Sequence, residues 1–455
     1  MHKFALLGHF LVAVCGVLTV FWLARRNALP DSPSPSRAQR PLWMVSVLVV
    51  GSLFELLSFQ TSSPPDRFWD FLNAYYPAGQ AALHNNSPAL QALIGRGVNG
   101  FVNIPIVAYL FAPFALVGPQ LAAVLFTLIG TGLTVAAWFL LVRLARLELR
   151  ERWLLALLFL FNGPLVNGIK FGNLSYFLLF ALAYGLLLLR AGRSTQAGAL
   201  LGLAAVLKPP LALFGFFFLF RRDLRGLFAF AIVGIVTAAL SLAVFGWSDN
   251  IRWFETCIIQ YSHSWVSAFS VQSISAFVIR LRPGIGMEYI DSLPRVPTHN
   301  ENAVAMVLTG LILAVAAIAC IANASRRAPN DRSETRLDLQ YMLVSCLVLV
   351  LSPLSWDRYY CWLLLPAAFF FGSAAAFPAS RIGRAIGWLA IALATPLVMN
   401  PGALGPLGET TVYKVIFVSH LLFSGLLWFG LVAWSLWRSD SKFSSTVHTS
   451  PIPAT

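Results

Sequence analysis

The chain has 455 residues, 58% of them hydrophobic and only 11% charged, with a formal net charge of +14 at pH 7. Apolar runs close to the ~20 residues needed to cross a bilayer core recur along it, which argues against a water-soluble domain and for an all-α polytopic membrane protein. The positive charge does not point to nucleic acid, because the lysines and arginines cluster in short tracts between apolar runs, where the cytoplasmic charge bias of membrane proteins places them.

Residues 6–23 are expected to form a first span that is retained. Only His2 and Lys3 precede it, and no small-residue cleavage site precedes Arg25, Arg26, Arg37 and Arg40 in the linker that follows. Those arginines belong on the cytoplasmic side, so residues 42–59 cross outward and deliver Asp66 and Asp70 to the extracytoplasmic face. In the first long outer loop, about residues 60–120, the stretch 70–83 can be written as one interfacial helix with Phe71, Tyr75 and Ala78 along one face. Residues 104–117 are short and carry Pro105 and Pro113. They read as a re-entrant segment, because a full crossing would put the basic tract Arg143, Arg146, Arg150 and Arg152 outside.

Residues 121–142 return to that tract, 153–166 cross again, 167–173 turn, and 174–189 come back to Arg190 and Arg193. Residues 197–220 have basic residues at both ends, and Lys208-Pro209-Pro210 divides them in the middle. Each half rises only about 18 Å at 1.5 Å per residue, which suits a dipping pair with Lys208 at its apex. Residues 227–245 exit. A second long outer loop, 246–302, holds Trp247, Trp253, Tyr261, Trp265 and Phe269, aromatics of the kind that lie at the headgroup level. Residues 303–322 return, 341–351 exit, 352–360 turn, 361–376 re-enter, 386–399 exit and 415–437 bring the tail inside. The expectation is a single integral-membrane domain over residues 1–438 with about 11 spans, multi-pass in the cell (inner or plasma) membrane, and a disordered cytoplasmic tail, 439–455.

Asp70 is the first candidate for chemistry, as a general base: a carboxylate beside a membrane-facing pocket can take the proton of an acceptor hydroxyl as that hydroxyl attacks a sugar carbon. The competing reading is a solvated loop carboxylate paired with Arg67. The second candidate is the turn Ser352-Pro353-Leu354-Ser355-Trp356-Asp357-Arg358-Tyr359-Tyr360. There Arg358 suits a phosphate, Trp356 or Tyr359 suits stacking on a sugar face, and Asp357 could orient either; a belt of interfacial anchors is the alternative. Lys208 is third, since an ionisable residue at membrane depth points to function unless it snorkels to the interface. Gln272 and Ser273 interrupt an apolar run, where they could hydrogen-bond a sugar or cap a helix, and Tyr75 and Tyr76 complete the substrate-binding candidates. The 167–173 turn, with Lys170, is a lesser one. Cys15, Cys257, Cys320, Cys346 and Cys361 have neither metal-ligand spacing nor a paired framework, so they read as packing residues and no metal is expected.

The segment Asp70-Phe71-Leu72-Asn73-Ala74-Tyr75-Tyr76-Pro77-Ala78-Gly79-Gln80-Ala81-Ala82-Leu83 resembles the first-loop motif of the polyprenol-phosphate-mannose-dependent α-mannosyltransferases and their relatives in the glycosyltransferase-C superfamily. Residues 105–113, Gly202-Leu203-Ala204-Ala205-Val206-Leu207-Lys208-Pro209, Gln272-Ser273 and Ser352-Pro353-Leu354-Ser355-Trp356-Asp357 extend the resemblance in the family's order across roughly residues 55–370. It implies a glycosyltransferase-C-like transmembrane helix bundle with interfacial helices in two long extracytoplasmic loops. It further implies inverting transfer of a hexose, mannose first, from a polyprenyl-phosphate donor to a lipid- or glycan-linked acceptor outside the cytoplasm, with Asp70 as base. The partners are then that donor, that acceptor and membrane lipids, without nucleic acid, and no cofactor is expected because no P-loop or dinucleotide fingerprint is present. Where the family often has histidine after Ser-Trp-Asp, this chain has Arg358-Tyr359-Tyr360. The alternative function is a transporter or flippase of lipid-linked saccharides, which would use the same groups without breaking a bond.

Overall fold

A computed structural model describes residues 67–287, 294–325, 334–372, 377, 380–398, 410 and 413–438. The expected spans at 6–23 and 42–59, Asp66, Cys15 and the 439–455 tail lie outside the described residues. Among those described, regular structure is helical, with two isolated antiparallel bridges, Trp265–Arg295 and Val271–Trp356, and no strand.

The first described helix, α1, begins as a π-helical turn, Phe71–Tyr75, and runs on as Tyr76–Leu83. At 3.6 residues per turn, positions 70 and 75 of an α-helix would face about 140° apart. The wider π turn, with its i→i+5 bonding, instead lets Asp70 and Tyr75 border the same cavity. Phe71 and Ala78 are buried, with the Phe71 ring 4.6 Å from that of Phe126, and Tyr75 stacks on Phe111 at 4.6 Å. α2 (Ser87–Ile94) is capped by Asn86, and a 3-10 turn, Pro105–Val107, leads into α3 (Ala108–Ala115), a segment too short to cross a bilayer core.

α4 (Pro119–Leu144) is a full-length apolar helix. α5 (Leu149–Phe161), started by a Glu148/Glu151 capping box, breaks at Asn162 and continues as α6 (Gly163–Phe171) after a 49° bend. The apolar pattern alone ends a span at residue 166 and leaves 167–173 as a turn; the structure makes 163–171 a helix, for local reasons. The Asn162 side chain caps the Leu165 N–H at 2.9 Å, Pro164 occupies the first turn where its missing donor costs nothing, and Gly172, left-handed at φ 64°, ends the helix.

α7 (Ser175–Arg190) runs back beside α4. α8 (Ser194–Leu207) and α9 (Leu213–Phe220) are separated at Lys208 by the 3-10 turn Pro209–Ala212. Lys208 is extended (φ −142°, ψ 97°), and the Leu207 carbonyl freed by the break accepts a hydrogen bond from Asn103 Nδ2 at 2.7 Å. α10 (Leu224–Trp253) packs against α8 backbone to backbone: a Cβ on Gly198 would lie 2.1 Å from the Gly226 carbonyl oxygen, and one on Gly202 would lie 2.7 Å from that of Phe230. Phe218, near the end of α9, touches the same Gly226. The start of α8 and the end of α9 are therefore level with the start of α10, and the chain turns back at Lys208.

α10 kinks at Gly246 (φ 68°), and helical turns continue through a π segment, Phe254–Ile259, and α11 (Gln260–His263). Cys257, expected in a loop, is thus buried in a helix. α12 (Ile274–Arg280), α13 (His299–Ser325) and α14 (Glu334–Leu351) follow. A 3-10 segment, Asp357–Leu363, leads into α15 (Leu364–Phe371), and α16 (Arg381–Ala394) and α17 (His420–Arg438) close the bundle. Among the described residues α4, α10 with its continuation, α13 and α17 are each long and apolar enough to cross a membrane, and the bent α5–α6 pair meets the same requirement only when its halves are taken together, so the chain is a multi-pass membrane protein.

The two ends of the bundle carry different chemistry. At the basic end Arg146 meets Glu334 at 2.7 Å, Arg190 pairs with Asp338 and Arg221 bonds Gln340, which ties the ends of α4, α7 and α9 to the start of α14. At the other end Ser87 donates to Asp249 at 2.8 Å, the Val98 N–H donates to the Tyr261 hydroxyl at 3.1 Å, and Trp253 Nε1 donates to the Val102 carbonyl at 2.9 Å. These bonds fold the 87–103 region onto the continuation of α10. A cavity bordered by Tyr261, Val98 and Val102 lies at this end.

Candidate active site

A cavity of about 490 Å3 lies between α1, the break after α8, the segment following α10 and the turn after α14. Asp70 borders it from α1, Lys208 from the break, and Trp356, Arg358 and Tyr359 from the turn. Charge is concentrated here. The Arg358 guanidinium is 3.2 Å from Asp70 Oδ2, and its carbon lies 4.9 Å from the Trp356 ring centre and 5.1 Å from that of Phe171, so two aromatic faces hold a cation against the carboxylate. Lys208 is only 3% exposed, with its ammonium 4.9 Å from the centre of the Tyr359 ring. Leu213, Phe216, Ile258 and Leu351 add apolar surface to the wall. One cavity therefore offers a carboxylate and two cations beside a surface suited to hydrocarbon.

The turn that carries Arg358 is fixed from several directions. Its Trp356 bridges to Val271, the Gln272 N–H donates to the Ser355 carbonyl at 2.6 Å, and the Asp357 N–H donates to the Ser270 carbonyl at 2.7 Å. Arg280 of α12, itself buried, donates to the carbonyl of Val271 at 2.7 Å and so stiffens the partner segment. On the other side Asp357 accepts from Asn167 Nδ2 at 2.6 Å through one oxygen and from the Arg358 N–H at 2.8 Å through the other. On α1, Asp70 Oδ2 also accepts from Asn173 Nδ2.

Of the residues singled out in the sequence, Asp70, Tyr75, Lys208, Trp356, Arg358 and Tyr359 come together around the cavity. Tyr76, Asp357, Gln272 and Ser273 face elsewhere. Tyr76 points away and donates its hydroxyl to the Val117 carbonyl at 2.9 Å. Asp357 is turned into the Asn167 contact. Gln272 donates through Nε2 to the carbonyls of Phe269 and Val418, both at 2.7 Å, and Ser273 caps α12 at the Ala276 N–H while donating to the Pro353 carbonyl at 2.9 Å. The sequence offered little to single out Asn167 and Asn173; the available signal was a pair of amides bounding a short stretch that holds Lys170. Among the described residues no three His, Cys, Asp or Glu side chains converge as a metal site requires.

The described residues thus form a multi-pass helical bundle with a charged, partly apolar cavity at one end. Residues 101–353 match Glycosyltransferase family 87, more than half of the chain, and the chain belongs to that family. The matched region includes Lys208, Gln272 and Ser273, and it begins after Asp70 and ends before Trp356. Two curated relatives carry the name polyprenol-phosphate-mannose-dependent alpha-(1-2)-phosphatidylinositol mannoside mannosyltransferase. The one from Mycolicibacterium smegmatis is 25% identical over 282 residues, 58% of this chain and 60% of the relative. The one from Mycobacterium tuberculosis is 26% identical over 288 residues, 60% of this chain and 62% of the relative. The chain thus spans about 60% of the length of the curated relatives it matches. No solved structure matches.

Proposed function

We propose that this chain transfers a hexose with inversion from a polyprenyl-phosphate donor to the hydroxyl of a lipid- or glycan-linked acceptor, and that mannose, the sugar named for both relatives, is the hexose. The observation that carries the reading is the meeting of Asp70 with Arg358 and Lys208 in a single cavity of a family 87 chain. In the reaction the acceptor oxygen bonds to the anomeric carbon while its proton passes to the Asp70 carboxylate. The carbon–oxygen bond to phosphate breaks, and its electron pair leaves with the polyprenyl phosphate, whose charge grows as it departs. Two cations in a site of low dielectric stabilise that growing charge more than the charge of the bound donor, which is the differential binding a rate enhancement needs.

The ion pair between Arg358 and Asp70 belongs to the state without substrate. A phosphate offers the guanidinium fork a better-matched anion than the single carboxylate oxygen it holds at 3.2 Å, so donor binding draws Arg358 across and frees Asp70 for the acceptor. An extracytoplasmic cavity is the reading that charge supports: Arg146, Arg190 and Arg221 gather at the other end of the bundle, and such arginines are biased to the cytoplasmic side. The test is purified protein with a radiolabelled polyprenyl-phosphate hexose and a panel of acceptors, beside Asp70→Asn. Transfer should fall by about a hundredfold or more in the variant, which keeps the shape and loses the base. Near-normal turnover in Asp70→Asn removes Asp70 as the base, and translocation without transfer makes the protein a flippase.

A further inference from the structure

We infer that the C-terminal end of α6 is the positioning element of this site: Asn173 holds the Asp70 carboxylate for proton transfer, and Asn167 holds Arg358 for the donor phosphate by way of Asp357. The inference rests on the proposed roles of Asp70 and Arg358. Five side chains form a continuous chain of contacts, Asn173 to Asp70 to Arg358 and then, through the Arg358 backbone, to Asp357 and Asn167. Both asparagines come from one short stretch, so a single element spans the two charged walls.

The α6 end touches each wall closely. Toward α1, the Phe68 N–H donates to the Lys170 carbonyl at 2.7 Å, and a Cβ on Gly172 would sit 2.8 Å from that of Phe71, so at φ 64° this position favours glycine both for its backbone and for space. Toward the turn, a Cβ on Gly168 would be 3.8 Å from the Arg358 Cβ. The orientation of the Asn173 amide is set independently of Asp70. Its Oδ1 accepts from the Ser175 N–H at 3.0 Å at the start of α7, which leaves only the NH2 group to face the carboxylate.

The residue type fits the task. When phosphate takes Arg358, Asp70 loses one of its two partners, and the one that stays is a neutral amide, which orients a carboxylate without cancelling its charge. An arginine or lysine in place of Asn173 would hold the carboxylate as firmly and would compete with the incoming proton. Asn167 acts one step further back: with one oxygen on the Asn167 amide and the other on the Arg358 N–H, Asp357 fixes the backbone from which Arg358 projects. Asn173 should therefore act on the chemical step, and Asn167 on donor binding.

The experiment measures kcat and donor KM for Asn173→Ala, Asn173→Ser and Asn167→Ala in the full chain, beside Asp70→Asn. We expect Asn173→Ala to lower kcat tenfold to a hundredfold, roughly the effect of losing a hydrogen bond to a charged group, with donor KM held within about twofold. Asn173→Ser, which keeps a short donor, should recover part of the loss. Asp70→Asn combined with Asn173→Ala should be no slower than Asp70→Asn alone, because the amide works only through the carboxylate. Asn167→Ala should raise donor KM about tenfold with the smaller change in kcat. Equal losses of Asn173→Ala in both backgrounds, or wild-type kcat in the folded variant, overturn the inference while leaving Asp70 as base. If Asn173→Ala does not fold, Asn173→Ser takes its place in the same cycle. Near-normal turnover in Asp70→Asn is read without any change at Asn173, and it removes the base and this inference together.

Discussion

The two ends of the bundle each hold a largely buried arginine–aspartate pair flanked by an aromatic ring, and they differ in what surrounds the ions. At the basic end Arg190 grips Asp338 with two nitrogens, gives a third hydrogen bond to the Leu144 carbonyl at 2.8 Å and lies 5.4 Å from the Phe369 ring centre. Nothing there borders the cavity. At the cavity end Arg358 approaches Asp70 Oδ2 at 3.2 Å, with both side chains on the cavity wall. A bidentate pair away from the cavity is a fastener, whereas a pair on the cavity wall is one that a ligand can reach. The same two residue types thus sit in opposite settings, one sealed by neighbouring protein and one bordering a cavity.

The largest effects should come from the cavity end. Lys208→Ala should lower turnover about a hundredfold, the scale seen when a donor to a developing anion is lost, and should raise donor KM as well, while Lys208→Arg keeps part of both. Arg358→Ala should produce the same kind of defect at about a tenth of the size, since Lys208 remains. Acceptor KM should move little in each case. Steady-state kinetics on folded protein checks this. A Lys208→Ala variant with unchanged donor kinetics and lowered thermal stability would make that lysine a structural residue.

The basic end should respond in the other currency. Arg190→Leu leaves Asp338 buried without its partner and should cost about 3 kcal/mol or more of stability, the usual consequence of breaking a buried pair from one side. The protein that stays folded should turn over at the wild-type rate. Thermal unfolding in detergent, with activity scaled to folded protein, measures both. A loss of kcat in folded Arg190→Leu would mean that the two ends are coupled.

The mildest substitutions test which end faces which compartment. In a background without the native cysteines, His84→Cys just after α1 and Thr195→Cys at the start of α8 are both at exposed positions and should leave activity unchanged. An impermeant thiol reagent applied to intact cells should modify the first and spare the second. The reverse pattern would put the cavity on the cytoplasmic face and remove the lipid-linked donor's side of the argument.

Much of the architecture was legible from local chemistry. The apolar runs and the arginine tracts between them determine a membrane bundle with one basic end, because the cost of placing charge in hydrocarbon is paid residue by residue wherever the chain goes. Lys208-Pro209-Pro210 determines a break by itself, since proline removes a donor and restricts the residue before it. The helix beginning near Asp70 was also readable, and its π turn was not, because a one-residue expansion leaves no trace in an α-helical period.

What only the tertiary structure decided is which polar groups share a site. Asp70 and Asp357 are both aspartates beside an arginine in aromatic-rich stretches, and the sequence treats them as near equals. The bridge between Val271 and Trp356, with the Ser270 and Ser355 bonds around it, rotates Asp357 into Asn167 and leaves Arg358 facing the cavity. The partners that orient the two acids are 103 and 190 residues away in the chain, and no periodicity within a segment encodes a contact at that distance. Local propensity can place a charged side chain on a helix or a turn; the packing of separate elements decides whether it meets a cavity or another side chain.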